Sequence, residues 1–335
     1  VVRAPANIGL AALLLGLATA WGGAAELGFD WQDSLGRTPA GFSSVVTGPG
    51  SPGIWQVIED EVPPVLAPLS RHAQTVTQQA ALTVKSMDLT ANRFAVLLYT
   101  NETFDDFTLT TRMKITGGVT EPSAGVVFRA KDANNYYVLR AGTEGYLLWH
   151  RVVDGKSIEN LGVGVRTPIA RRAWLELKVE CKGNAIRCYL DGKLMIPPAK
   201  AGSPTEGLAV NDTTFSSGEI GFWAKADTEA DFVDTRIEYK PRIAFMQTVA
   251  EAALQKYPRL LGLQIYAERN GSAPVVIASK DTNNLGQAGG KVEADVIHKG
   301  MAYYAKEKSW VEVTLPLHDR NGDVVAALKT RLERF

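Results

Sequence analysis

The chain has 335 residues, and its 36 lysines and arginines are balanced by 36 aspartates and glutamates, for a formal net charge of zero. That balance argues against nucleic acid as a partner and leaves a neutral polymer or a small polar ligand as the fitting class. The length and the apolar content suffice for two hydrophobic cores.

At the N-terminus, Arg3 precedes an apolar run from Ile8 to Ala20, the length of a signal-peptide core and short for a bilayer span. Ala18-Thr19-Ala20 and Gly23-Ala24-Ala25 each supply the small residues of a cleavage site. Residues 1–25 therefore read as a signal peptide, and the expected location is periplasmic or secreted. Left uncleaved, the same run would anchor the chain to a membrane.

From Phe29 to about Tyr239 the readable elements are strands. FDDFTLTTRMKI, AGVVFRAKDANNYYVLRA and WLELKVECKGNAIRCYLDGK alternate apolar and polar residues with period two, the mark of strands with one buried face. Ala133-Asn134-Asn135, Gly142 to Gly145, Asp154-Gly155, Gly183-Asn184 and Asp191-Gly192 punctuate them as turns. Phe94 to Tyr99 and Gly218 to Trp223 are continuous apolar strands. The pattern is that of an all-β, two-sheet sandwich.

After Lys240-Pro241 the periodicity changes. Ile243, Phe245, Met246, Val249, Ala250, Ala253 and Leu254 recur at helical spacing, closed by Lys256-Tyr257-Pro258. Strands over 260–267 and 275–279, a short helix over 292–298, and strands over 310–317 and 324–332 follow. This α-β-β-α-β-β order predicts a small α+β domain over 242–335 behind a sandwich over 29–238.

The first span resembles the concanavalin A-like, laminin G-like jelly rolls, in particular their 3-keto-disaccharide-hydrolase-like members. The resemblance rests on Phe104-Asp-Asp-Phe-Thr-Leu, Ala124-Gly-Val-Val-Phe-Arg, Asn135-Tyr-Tyr-Val-Leu-Arg, Tyr189-Leu-Asp-Gly-Lys and Gly218-Glu-Ile-Gly-Phe-Trp-Ala-Lys-Ala-Asp. The second span resembles Cache-type, PAS-like sensor domains through its leading helix, Leu263-Gln-Ile-Tyr, Ala278-Ser-Lys and Val313-Thr-Leu-Pro-Leu-His-Asp-Arg-Asn-Gly-Asp-Val-Val. These likenesses imply a glycan or other polymer as the sandwich's partner and a small molecule as that of the C-terminal domain.

Candidate binding residues follow from strand parity. Phe128, Tyr137 and Leu139 have core parity. If the Gly142–Gly145 loop pairs Ala141 with Tyr146, then Arg129, Tyr136, Arg140, Trp149 and Arg151 share the opposite face. Aromatic rings beside guanidinium forks suit a sugar, although the same side chains could pair across strands instead. In the C-terminal domain, Tyr266, His298, Tyr303 and Trp310 are candidate pocket residues. Cys181 and Cys188 both take core parity, and a disulfide between them follows only if their loop sets them opposite.

Catalytic signatures are weak. The ExDxE spacing of a sandwich glycosidase is missing, and Glu59-Asp60-Glu61 reads as a solvated strand end. His72, His150, His298 and His318 are scattered, so no cofactor is expected; calcium alone stays open, because carbonyls and isolated aspartates build sites that a sequence does not display. The expectation is an exported, non-catalytic, carbohydrate-binding protein with a sensor-like C-terminal domain. A glycoside-acting hydrolase and a structural assembly module are the competing readings.

Overall fold

The computed structural model describes residues 25–65, 76–158, 165–195, 209–268, 272–306, 308–319 and 321–333. The expected signal peptide lies outside these, apart from Ala25. No helix among the described residues is long and apolar enough to cross a membrane.

In chain order the first seventeen strands are β1 (Ala25–Gly28), β2 (Phe42–Thr47), β3 (Ile54–Val62), β4 (Thr77–Lys85), β5 (Phe94–Phe104), β6 (Phe107–Gly117), β7 (Ser123–Asp132), β8 (Asn135–Gly142), β9 (Tyr146–Val153), β10 (Lys156–Ile158), β11 (Val165–Arg166), β12 (Leu175–Lys182), β13 (Ala185–Leu190), β14 (Lys193–Met195), β15 (Val210–Asn211), β16 (Gly218–Lys225) and β17 (Glu229–Tyr239). They form two antiparallel sheets. The first runs β14-β13-β12-β6-β17-β4-β3, with β1 beside β17 and β15 beside β13; the second runs β10-β9-β8-β7-β16-β5-β2, with β11 beside β9. Alternate residues of both sheets, among them Leu82, Leu97, Leu109, Phe128, Leu139, Leu177, Phe222 and Phe232, fill one core between them. The chain is therefore a mostly-β sandwich over this span.

The second sheet carries a further apolar cluster on its outer face, where Val96, Val127, Tyr136, Val138, Val152 and Trp223 are all buried. Curvature explains it. Thr47 on β2 and Tyr136 on β8 are four strand spacings apart, roughly 19 Å in a flat sheet, yet their hydroxyl oxygens are 2.8 Å apart. Thr47 also donates to the carbonyl of Ala133, at the tip of the β7–β8 hairpin (2.5 Å). The bend starts at a β-bulge, where the register of β7 against both β8 and β16 shifts and Arg129 takes φ +50°.

Beyond Pro241 come helix α1 (Arg242–Lys256), β18 (Leu260–Ala267), β19 (Val275–Ser279), helix α2 (Lys291–Lys299), β20 (Tyr303–Lys306), β21 (Trp310–His318) and β22 (Val324–Glu333). The sheet order is β19-β18-β22-β21-β20. Helix α1 packs Met246, Ala250, Ala253 and Leu254 on the face carrying Leu263, Ile265 and Ala326. Helix α2 packs Val296 and Ile297 on the opposite face, against Tyr266, Val276 and Ala327. Gly300 stops α2 in the left-handed conformation (φ +65°), which costs a glycine little. The sequence pattern missed β20, whose Tyr303-Tyr304-Ala305-Lys306 is too short to show a period. Hydrogen bonds from Ser216 to Asp319 and from Asn321 Nδ2 to the Thr213 carbonyl (2.5 Å) tie this sheet to the sandwich.

Candidate functional site

Register decides which side chains the second sheet offers. Ala141 pairs with Leu147, and Gly142 with Tyr146, one residue away from the pairing assumed from the sequence. A one-residue slip exchanges the faces of a whole strand. Trp149 therefore stands across from Leu139 and lies in the core, 4% exposed. Tyr146 moves to the outer face instead and is 37% exposed.

The other expected sandwich residues separate. Tyr136 is on the outer face but fully buried beneath the curled sheet, so its ring is closed to a ligand. Arg129 is fully buried at the bulge and donates to the carbonyls of Asp105, Gly183 and Phe215, holding three loops together. Arg151 shares the core side with Trp149 at the sheet margin and binds Asp212. That carboxylate also accepts from the Tyr137 hydroxyl and from Thr214 N (2.8 Å). Burial alone would raise its pKa, but these hydrogen bonds and the Arg151 charge outweigh burial and lower it.

Only Arg140 remains where a sugar could meet it. Its guanidinium pairs with Glu144 (2.9 Å), whose carboxylate lies over Gly142, within 1.9 Å of where a Cβ would stand. Arg140, Glu144, Tyr146 and half-buried Leu148 thus line one strip along the outer face. Lys225, paired with Glu121, borders it. Behind the strip, Arg140 lies 5.9 Å from the Trp223 ring centre, and His150 meets the same ring edge-on at 6.5 Å. Burial, and secondarily the Arg140 charge, drive the His150 pKa down to about 3, so the imidazole is neutral at physiological pH.

On the first sheet's outer face Lys114 sits between Asp60 and Asp231, 3.6 Å from the latter, with its ammonium 4.8 Å from the Trp174 ring centre. Burial raises the Asp231 pKa. Glu59 and Glu61 are exposed, although they share the strand parity of the core residues Trp55 and Val57. Cys181 stands across from Ile186 and Cys188 across from Val179, because the turn spans only residues 183 and 184; both thiols are buried and unbridged. The conditional disulfide therefore does not form. Among the described residues no group of three or more His, Cys, Asp or Glu side chains is placed to hold a metal.

The C-terminal sheet has a cavity of about 330 Å³ on the α2 side, at the end of the sheet away from that helix. Gln264, Glu312, Lys329 and Arg331 form its floor, and Ser279 to Asp281 with Asn284 form one wall. Of the residues expected there, Tyr266 contributes only indirectly, donating from its hydroxyl to Gln264 Oε1 (2.9 Å). Trp310 lies under the Arg331 guanidinium (4.3 Å). His298 is exposed and pairs with Glu268 (2.8 Å), and Tyr303 reaches Asp295 (3.4 Å), both away from the cavity. Among the described residues no aromatic lines the cavity; its amides and paired charges come from separate strands and a loop and leave no spacing to read in the sequence.

A family model described as the 3-keto-alpha-glucoside-1,2-lyase-like domain matches residues 55–238. No curated protein matches the chain. Among solved structures, a carbohydrate-binding module from Bacillus subtilis aligns at 20% identity over 55% of this chain and 94% of its own, with a TM-score of 0.39. A Bacillus subtilis protein of unknown function with a galectin-like fold aligns at 13% identity over 56% and 90%, with a TM-score of 0.35. A putative glycosyl hydrolase from Parabacteroides distasonis aligns at 10% identity over 48% and 80%, with a TM-score of 0.32.

Proposed function

The chain belongs to the family of 3-keto-alpha-glucoside-1,2-lyase-like domains, and we propose that its sandwich binds a glycan without cleaving it. We further propose that residues 242–335 form a separate Cache-like unit that takes a small molecule, and that the mature protein is exported. The observation that carries the binding reading is the Arg140–Glu144–Tyr146–Leu148 strip. A partly exposed ring gives a sugar an apolar face, and the fixed guanidinium–carboxylate pair gives its hydroxyls both donors and acceptors. The outer-face carboxylates nearest the strip are engaged by cations, Glu144 by Arg140 and Glu121 by Lys225.

A glycan array with the purified protein tests this reading. Tyr146→Ala should lower affinity for the array's hits about five- to thirtyfold, the loss of roughly 1–2 kcal/mol of ring contact. Equal binding by the variant would move the site elsewhere.

One observation favours an enzyme. Asp231, whose pKa burial raises, shares Lys114 with Asp60, and a desolvated carboxyl group beside a fixed cation is raw material for acid/base chemistry. Incubation with a 3-keto-disaccharide, followed by product analysis, decides between the two. Cleavage that disappears in Asp231→Asn would establish the enzymatic reading; an uncleaved substrate supports binding alone.

A further inference from the structure

We infer that the C-terminal cavity is a site for a neutral, polyhydroxylated small molecule the size of one sugar ring, rather than for an anion, a cation or an amino acid. The inference rests on the reading that this unit binds a small molecule, and it specifies the chemistry.

Charge bookkeeping around the cavity is the first argument. Glu312 lies between the two cations of the floor, 3.2 Å from Lys329 and 2.9 Å from Arg331. Lys329 is held from behind by Glu293 of α2 at 3.1 Å. Burial opposes the Lys329 charge, but both glutamates outweigh it and raise its pKa. In the wall, Lys280 donates to the carbonyls of Leu260 and Leu261 (3.2 and 3.3 Å), and the neighbouring Asp281 carboxylate caps Asn283 N (3.0 Å). Three cations and three carboxylates leave no net charge. On the floor, an entering anion would meet Glu312 beside both Lys329 and Arg331, and an entering cation would meet those two bases beside Glu312. Either would shed its hydration without an unshared counter-charge on the floor to replace it.

A neutral polyol faces no such loss. The remaining lining includes two amides: Gln264, whose oxygen is already taken by Tyr266, and Asn284 across the cavity. Together with the outer lone pairs of Glu312 and the remaining guanidinium hydrogens of Arg331, they form a fixed array of donors and acceptors. Hydroxyls can serve as both, which charged head groups cannot. The volume is at the lower end of small-molecule sites, roughly 300–1,000 Å³, and suits a single ring.

Isothermal titration of the full chain with glucose, galactose, mannose and sorbitol, alongside glucuronate, glucosamine and alanine, tests the inference. At least one neutral probe should bind ten times or more tightly than any charged one. Its binding should survive Tyr146→Ala in the sandwich and fall at least tenfold in Gln264→Leu. Asn284→Leu, in the loop across the cavity, provides the same test should Gln264→Leu disturb the sheet. A charged probe that binds most tightly, and is lost in these cavity variants, overturns the inference while leaving a small-molecule site. Binding by no probe, or binding indifferent to both cavity variants, overturns the inference and the underlying reading together.

Discussion

Thr47 and Tyr136, at 2.8 Å between hydroxyl oxygens, close the outer face of the second sheet across four strand spacings. The same threonine holds Ala133, so its hydroxyl joins β2 to the tip of the β7–β8 hairpin. Thr47→Val strips both partners and should cost about 1–3 kcal/mol, the range for leaving buried polar groups unpaired. Tyr136→Phe leaves the Ala133 bond intact and should cost about 1 kcal/mol. Chemical denaturation ranks them, and a costlier Tyr136→Phe would show that the tyrosine, not the threonine, is the hub.

His150 makes the sandwich acid-sensitive in a definite window. Its pKa is about 3 in the folded chain, against roughly 6.5 when unfolded. Below that unfolded value the denatured chain binds a proton that the native one refuses. Stability is thus fully present above pH ~6.5 and falls by about 1.4 kcal/mol per unit as pH drops toward the folded value. Urea titrations from pH 7 to 4.5 should show that slope. His150→Gln should flatten it over this range, well above where most carboxylates titrate.

Asp212 anchors the segment before β16 by gathering Arg151, Tyr137 and Thr214. Asp212→Ala leaves a fully buried tyrosine hydroxyl and a half-buried guanidinium short of a partner, and about 2–4 kcal/mol should be lost. Asp212→Asn retains an acceptor but no charge and should fall between. The lowered Asp212 pKa means that its contribution is present above about pH 4 and disappears as pH falls further. A neutral outcome for the alanine variant would remove the clamp from the account.

Trp149 and Tyr146 should respond oppositely to truncation. Trp149→Ala opens a cavity in the core and should cost about 3–5 kcal/mol, as should Phe128→Ala. Tyr146→Ala should leave the melting temperature within a degree or two and act on glycan affinity alone. A Trp149→Ala protein of full stability and weakened binding would restore the register expected from the sequence.

Local chemistry by itself determined much of this protein. Period-two alternation marked the sandwich strands, helical spacing and Pro258 delimited α1, and the C-terminal strands other than β20 fell within one residue of their expected bounds, because each depends on neighbours a few positions away. The turn between β8 and β9 did not yield in this way. Gly142, Thr143, Glu144 and Gly145 allow more than one hairpin pairing, and packing of Trp149 against Leu139 and the rest of the core selects one. That choice placed Tyr146 outside and Trp149 inside. Curling of the second sheet likewise depends on contacts such as Thr47 with Tyr136, 89 residues apart in the chain, and it buried a face that parity alone would leave open. The cavity floor was equally illegible, since Gln264, Glu312, Lys329 and Arg331 come from three strands whose side chains meet only once the sheet is assembled. Sequence spacing carries the period of an element, whereas register, curvature and charge pairing between distant strands are settled by which side chains bury best together.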